Sequence, residues 1–135
     1  MFVHETIIRV RYVDTDQMGY VYYGNYAAFY EVARTEMLRS LGMTYKSMEE
    51  DGVMMPVLEM KTKYFKPARY DENIRIRVTV PKKPSVRIVF EYDIYNEQNE
   101  HINHGETTLV FVSIERNKPC LAPENFMKKI SVFFD

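Results

Sequence analysis

From Tyr26 to Leu41 the apolar residues Tyr26, Phe29, Tyr30, Ala33, Met37 and Leu41 return every three or four positions. That spacing puts them on one face of a helix and leaves Glu31, Arg34, Glu36 and Arg39 to fill the rest. Gly42 supplies the stop, because a helix commonly ends in a left-handed residue and glycine adopts that conformation without steric cost. Nothing else in the chain sustains the period for so long. One long helix must therefore be housed by segments that read as strands. Ala27, Ala28 and Ala33 are small enough to let backbones approach, as a helix lying in a curved sheet requires.

The strand segments lie on both sides of this helix. Residues 2–13 are β-branched and partly alternating, with Arg9 and Arg11 on one face and Ile8, Val10 and Tyr12 on the other. Thr44 to Asp51 predicts a short second helix, capped by Thr44 and ended by Gly52. After Gly52 the period changes to two. Val53 to Phe65 is interrupted at Pro56 and ended by Pro67. Asn73 to Val80 alternates Ile74, Ile76, Val78 and Val80 against Arg75, Arg77 and Thr79. Pro81-Lys82-Lys83-Pro84 turns the chain, and Val86, Ile88, Phe90, Tyr92 and Ile94 form the next apolar face. A turn at 96–100 leads into a last long strand over 102–115, and the segment from Glu124 begins as a helix. One strand, one long helix and four strands in meander predict an α+β fold. It is a single domain over 1–135, its antiparallel sheet wrapped around a central helix. Such a sheet keeps a free edge, which invites association, so a homodimer is expected, with a tetramer also open.

Charge and cysteine usage remove several function classes. Eighteen basic and nineteen acidic residues leave a net charge of −1, which does not favour a nucleic-acid partner. The single cysteine, Cys120, cannot form an internal disulfide and suits a reducing compartment. No signal peptide or membrane-length apolar run is legible, so a cytoplasmic location is expected. His101 and His104 are three apart, but at the start of a strand they need not converge, and no cysteine or carboxylate cluster completes a ligand set. No metal and no cofactor are expected. Phosphate-loop and serine-elbow motifs are absent.

Chemistry concentrates in Asp14-Thr15-Asp16-Gln17-Met18-Gly19-Tyr20-Val21-Tyr22-Tyr23-Gly24-Asn25-Tyr26. Two carboxylates sit in a turn, and Gly24-Asn25 reads as the start of the long helix, with Asn25 as its N-cap. A helix start offers unpaired N–H groups and partial positive charge, which suit an oxygen that gains negative charge. A carboxylate beside such donors is a candidate acyl-transfer centre. Alternatively, Asp14 and Asp16 only cap the turn. Glu31 and Glu36 on the helix are further candidate bases, or else ion-pair partners of Arg34 and Arg39. Lys61, Lys63, Lys66, Arg69, Lys82 and Lys83 are candidate phosphate ligands, although Lys61 and Lys63 alternate as a solvated strand face also would.

Asp-Thr-Asp, then Gly, Val-Tyr-Tyr, Asn-Tyr and Glu-x-Ala-Arg-x-Glu resembles the hotdog-fold acyl-CoA thioesterases of the 4-hydroxybenzoyl-CoA thioesterase family. The branch it most resembles is the Tol-Pal-associated one. The dense part runs from Tyr12 to Gly42, and a looser part continues through Lys63–Ala68 and Gly105–Thr108. The resemblance implies a hotdog fold and hydrolysis of acyl-CoA thioesters. Asp16 would be nucleophile or general base, and the Tyr23 backbone amide would polarise the carbonyl. It further implies substrate contacts at Gly19, Val21, Tyr22 and Asn25, with Lys61 and Lys63 toward the coenzyme. The partner would be acyl-CoA or an acyl-carrier protein, bound where two subunits meet, with the motif loop of one chain from Asp16 to Tyr23 facing the segment Val57 to Phe65 of its mate. Tol-Pal-type relatives usually carry histidine where this chain has Tyr23. The other functional class open to such a domain is a non-catalytic acyl-CoA or acyl-carrier-protein binding module.

Overall fold

The computed structural model describes Met1–Asp135. Strand β1 (Phe2–Arg9) is followed by the motif loop, the long helix α1 (Tyr26–Ser40) and the short helix α2 (Tyr45–Glu50). Then come β2 (Val53–Met54), β3 (Val57–Tyr64), β4 (Asn73–Val80), β5 (Arg87–Tyr95) and β6 (His101–Val110). The short strands β7 (Val112–Ser113) and β8 (Lys118–Pro119) and helix α3 (Glu124–Ile130) complete the chain. The two helices and their limits agree closely with the periodicity, and Thr44 caps α2 by accepting from the Ser47 N–H at 2.9 Å. The first strand stops sooner than its composition suggests. Beyond Arg9 the chain leaves the sheet for a 3₁₀ turn at Tyr12–Asp14, and Tyr12 is solvent-exposed.

The main sheet is antiparallel, in the order β1-β4-β5-β6-β3. Strands β4, β5 and β6 form the expected meander, but β3 pairs with β6 at the far edge instead of with its successor β4. The segment after Pro67 carries the chain back across the sheet end. There the Val10 N–H donates to the Glu72 carbonyl and the Asp71 N–H to the Val10 carbonyl, both at 2.9 Å. These bonds tie the returning chain to β1 and leave β3 as an edge. No helix is long and apolar enough to cross a membrane.

Helix α1 lies on the concave face, with Tyr26, Phe29, Tyr30, Ala33, Met37 and Leu38 buried against Ile74, Ile76, Val78, Phe90, Tyr92 and Ile94. This is the hotdog layout. A polar line crosses its interior. The Tyr30 ring stacks on Tyr92 at 4.2 Å, and its hydroxyl bonds Asn103 Oδ1 and Thr62 Oγ1. Arg34 donates to the Tyr92 and Tyr45 hydroxyls, each at 3.1 Å. Arg34 is therefore a buried core residue and not the surface partner of Glu31; the surface pair is Glu36 with Arg39.

One irregularity in β6 shapes its outer face. Ile94 opposes Asn103 while Tyr95 opposes His101, so Ile102 is an extra residue with no opposite number. Ile102 and Asn103 are consecutive yet both fully buried, as a bulge produces. The Ile102 carbonyl, released from the ladder, accepts the Phe65 N–H at 2.9 Å and the Lys66 N–H at 3.2 Å.

Candidate active site

The motif loop folds back on itself as a small hairpin. The Asp16 N–H donates to the Tyr20 carbonyl and the Tyr22 N–H to the Asp14 carbonyl, both at 2.9 Å. Gly19, at φ +79°, makes the turn possible. The two aspartates divide the work. Asp14 is buried and accepts the Arg11 N–H at 2.8 Å, with the Arg11 guanidinium 3.2 Å away, so it holds the loop's base. Asp16 Oδ1 accepts the Met18 N–H at 2.9 Å, the Asx-type turn contact that sequence chemistry also allowed. Its second oxygen takes no protein donor, and the carboxylate is half-exposed.

Asp16 and Tyr23 lie on the wall of one cavity of about 280 Å³. Its other walls include Tyr20, Val21, Tyr26, Tyr64 and Phe65. The Tyr23 N–H donates to no side chain and to no carbonyl of the surrounding turns. It begins a 3₁₀ turn, Tyr23–Asn25, that runs directly into α1. This shifts the helical start upstream and corrects the expected cap. Asn25 is itself in helical conformation and makes no capping bond; its side chain donates instead to the Asp14 carbonyl at 2.7 Å. The residue expected to cap the helix fastens the helix to the aspartate loop.

The remaining motif residues scatter around this centre. Val21 is buried in the cavity wall, whereas Gly19 faces a neighbouring hollow that it shares with Tyr12, Asp16 and Tyr70. Tyr22 is exposed and packs on Tyr23 at 4.8 Å. Interaction with Tyr23, more than burial, raises its hydroxyl above the usual phenol range. Lys61 and Lys63 lie elsewhere, on the outer face of β3, in a cleft with Thr62, His104 and Glu106; Lys61 pairs with Glu59 at 3.2 Å. Lys66 lines the cavity itself but is engaged by Glu100.

Tyr64 and Phe65, expected to face the motif loop from a two-fold mate, close the cavity together with Pro67 from the same chain, about forty residues beyond the loop. Tyr64 donates its hydroxyl to the Tyr23 carbonyl at 3.1 Å and packs edge-on against Tyr26 at 5.3 Å. The available signal was the aromatic pair just before Lys66-Pro67. Burial, its main cause, lifts the Tyr26 hydroxyl to about 12, so that hydroxyl stays neutral at physiological pH.

A second expectation fails outside this cavity. His101 and His104 do converge. His101 Nε2 is 2.9 Å and His104 Nδ1 2.8 Å from the same oxygen, Asp93 Oδ1. Three positions apart on a regular strand they would point to opposite faces; the bulge at Ile102 returns His101 to the side of His104.

Comparison with known proteins places this architecture. Residues 10–130 match the family described as the thioesterase-like superfamily. The acyl-CoA thioester hydrolase YbgC of Escherichia coli O6:H1 is 35% identical over 120 residues, covering 89% of this chain and 90% of the relative. The provisionally named acyl-CoA thioesterase YneP of Bacillus subtilis is 36% identical over 119 residues, covering 88% and 86%. Among solved structures, the DHNA-CoA thioesterase of Staphylococcus aureus superposes with a TM-score of 0.92 at 33% identity, over 98% of this chain and 91% of that one.

Proposed function

The chain belongs to the thioesterase-like superfamily, and we propose that it hydrolyses acyl-CoA thioesters with Asp16 as the catalytic carboxylate and the Tyr23 amide as oxyanion donor. The observation that carries this reading is the shared cavity. Its wall carries Asp16, a carboxylate with an uncommitted oxygen, and Tyr23, whose backbone N–H has no acceptor and lies at the start of a helix. An N–H in that position stabilises the negative charge that grows on a thioester oxygen as its carbonyl is attacked.

Two routes use the same atoms. In the nucleophilic route an Asp16 oxygen bonds to the thioester carbon, and collapse of the tetrahedral adduct expels the coenzyme A thiolate and leaves a mixed anhydride. Water cleaves the anhydride, releasing the acid and restoring Asp16. In the general-base route Asp16 takes a proton from water as the water attacks, and that proton passes to the departing sulfur. The rings of Tyr20, Tyr23, Tyr26, Tyr64 and Phe65 support an aryl or short acyl group in the cavity over a long chain. The motif supports a place near the Tol-Pal-associated branch, while the aromatic preference accords with the Staphylococcus aureus neighbour. Lys61 and Lys63 remain the proposed contacts for the coenzyme phosphates, reached across the open edge at β3, and a reducing, cytoplasmic setting suits the single cysteine.

The test is Asp16→Asn, which keeps the shape and removes the charge. Turnover of aryl- and short-acyl-CoA falls at least ~100-fold while binding persists. Near-normal turnover by the folded variant overturns the assignment. Label from heavy-oxygen water found in the Asp16 side chain after a single turnover selects the anhydride route. Tight acyl-CoA binding by the native chain, without hydrolysis of any acyl class, would return it to the class of binding modules.

A further inference from the structure

We infer that Asp93, His101 and His104 form a binding site for a divalent first-row transition ion of the Zn²⁺, Co²⁺ or Ni²⁺ kind, on the outer face of the sheet. The three ligand atoms are Asp93 Oδ1, His101 Nε2 and His104 Nδ1, all within 4.8 Å of one another. The two nitrogen–oxygen separations are 2.9 and 2.8 Å. Ligand atoms about 2.0–2.1 Å from a tetrahedral or octahedral ion sit roughly 2.9–3.4 Å apart, so two of the three spacings already fit. The two nitrogens lie within 4.8 Å of one another, and the His104 ring is half-exposed, with room to turn toward a shared ion.

The set is held in place by the fold. Asp93 and His104 are direct cross-strand partners on β5 and β6, and the bulge at Ile102 brings His101 to their side. The His101 ring packs against Tyr95, 5.1 Å away with the planes 27° apart, and against Phe65 at 5.0 Å. That packing fixes the direction of Nε2 before any ion arrives. With three protein ligands and partial exposure, the ion would keep water in its remaining positions.

The surroundings select the ion. Lys63 opposes His104 and Arg77 opposes Asp93 across the ladder, so no strongly negative field draws cations in general. Affinity must come from imidazole coordination, which favours zinc and its neighbours over Ca²⁺ and Mg²⁺. The site is separate from the Asp16 cavity but adjoins it through Phe65, which packs at a tilt against His101 and lines the cavity.

The full chain, free of any tag and stripped with chelator, is titrated with Zn²⁺ by calorimetry and with Co²⁺ by visible absorption. One ion binds per chain. Asp93→Asn, His101→Ala and His104→Ala each weaken binding at least about 10-fold, and excess Ca²⁺ does not compete. His4 is the only other histidine, so His4→Ala leaves binding unchanged. In the native chain, paramagnetic Ni²⁺ broadens the ring signals of His101 and His104 and spares His4, a readout independent of any variant's folding. Absence of saturable Zn²⁺ and Co²⁺ binding overturns the site. So does binding that survives both histidine substitutions, or broadening of His4 in their place.

Discussion

Gly105 shows how far a single side chain, or its absence, sets this core. A Cβ at that position would lie 2.3 Å from the Tyr30 ring and hydroxyl. Tyr30 cannot step aside, because its hydroxyl is held by Asn103 and Thr62 and its ring is stacked on Tyr92. Gly105→Ala therefore forces overpacking of a fixed ring and is expected to cost about 1–3 kcal/mol, despite the better strand propensity of alanine. For a chain of this size that is a loss in melting temperature of about 2–4 °C per kcal/mol, readable by calorimetry. An unchanged melting temperature would show that the polar line through Tyr30 is soft. At this scale the sequence was a good guide where a residue acts within its own turn of chain. Gly42 at the end of α1, with φ +77°, and Thr44 at the start of α2 were both legible for that reason. It was a poor guide where the role depends on a distant partner. Arg34 read as a surface cation and is buried under two tyrosine hydroxyls; Asn25 read as a cap and bonds the aspartate loop.

The elements were legible in proportion to their regularity. Helix α1 and strand β4 follow the limits drawn from their periods, because each buries one face continuously. The bulge in β6 left no such mark. His101, Ile102, Asn103 and His104 give no local sign that two neighbours point inward, since a bulge is decided by the opposite strand. The same limit hid the position of β3, whose alternation is unaffected by which strand it pairs. The seam between α1 and the sheet carries its own prediction, through its buried phenols. Burial chiefly raises Tyr26 and Tyr92 to about 12, and it raises Tyr30 as well, from an ordinary value of 10.0. The unfolded chain releases the Tyr26 and Tyr92 protons near pH 10 while the folded chain keeps them until about 12, so the folded state binds more protons in that window. The stabilisation is complete below pH 10 and is lost as pH rises through 12. Urea midpoints should hold to pH 10 and fall steeply above it, with tyrosinate absorbance at 295 nm appearing in two stages. A single tyrosine titration with a flat midpoint would refute the assignment of these hydroxyls to the seam.

At the scale of the molecule, the protomer leaves one side unfinished. Strand β3 is an edge, and the residues it turns toward the helix side, Val57, Met60 and Tyr64, are 51%, 44% and 46% exposed. Residues on the inner face of a sheet around a helix are ordinarily buried; here α1 reaches the row only through the Tyr26–Tyr64 contact and leaves the rest of it open. Ala27, Ala28 and Val32 on α1 are exposed as well, beside the Tyr26–Tyr64 contact. The opposite edge, β1, is less inviting, since its outer row carries Glu5 and Arg9 around a single exposed Ile7. We expect a two-fold mate to pair along β3 and cover this strip, which continues the sheet and removes its open edge. The cavity lies at the same margin. The protomer's own Tyr64–Pro67 segment already faces Asp16 and Tyr23, so the mate is expected to close the outer side and bring up its Lys61 and Lys63. Sedimentation at micromolar concentration should give a dimer or its doubled form. Met60→Glu, which puts a charge in the strip and leaves the cavity lining untouched, should yield a folded monomer with activity reduced at least ~10-fold, since a site open to bulk water loses its electrostatic advantage. A native chain that sediments as a monomer at full activity would overturn the shared edge; so would a monomeric Met60→Glu variant as active as the native protein.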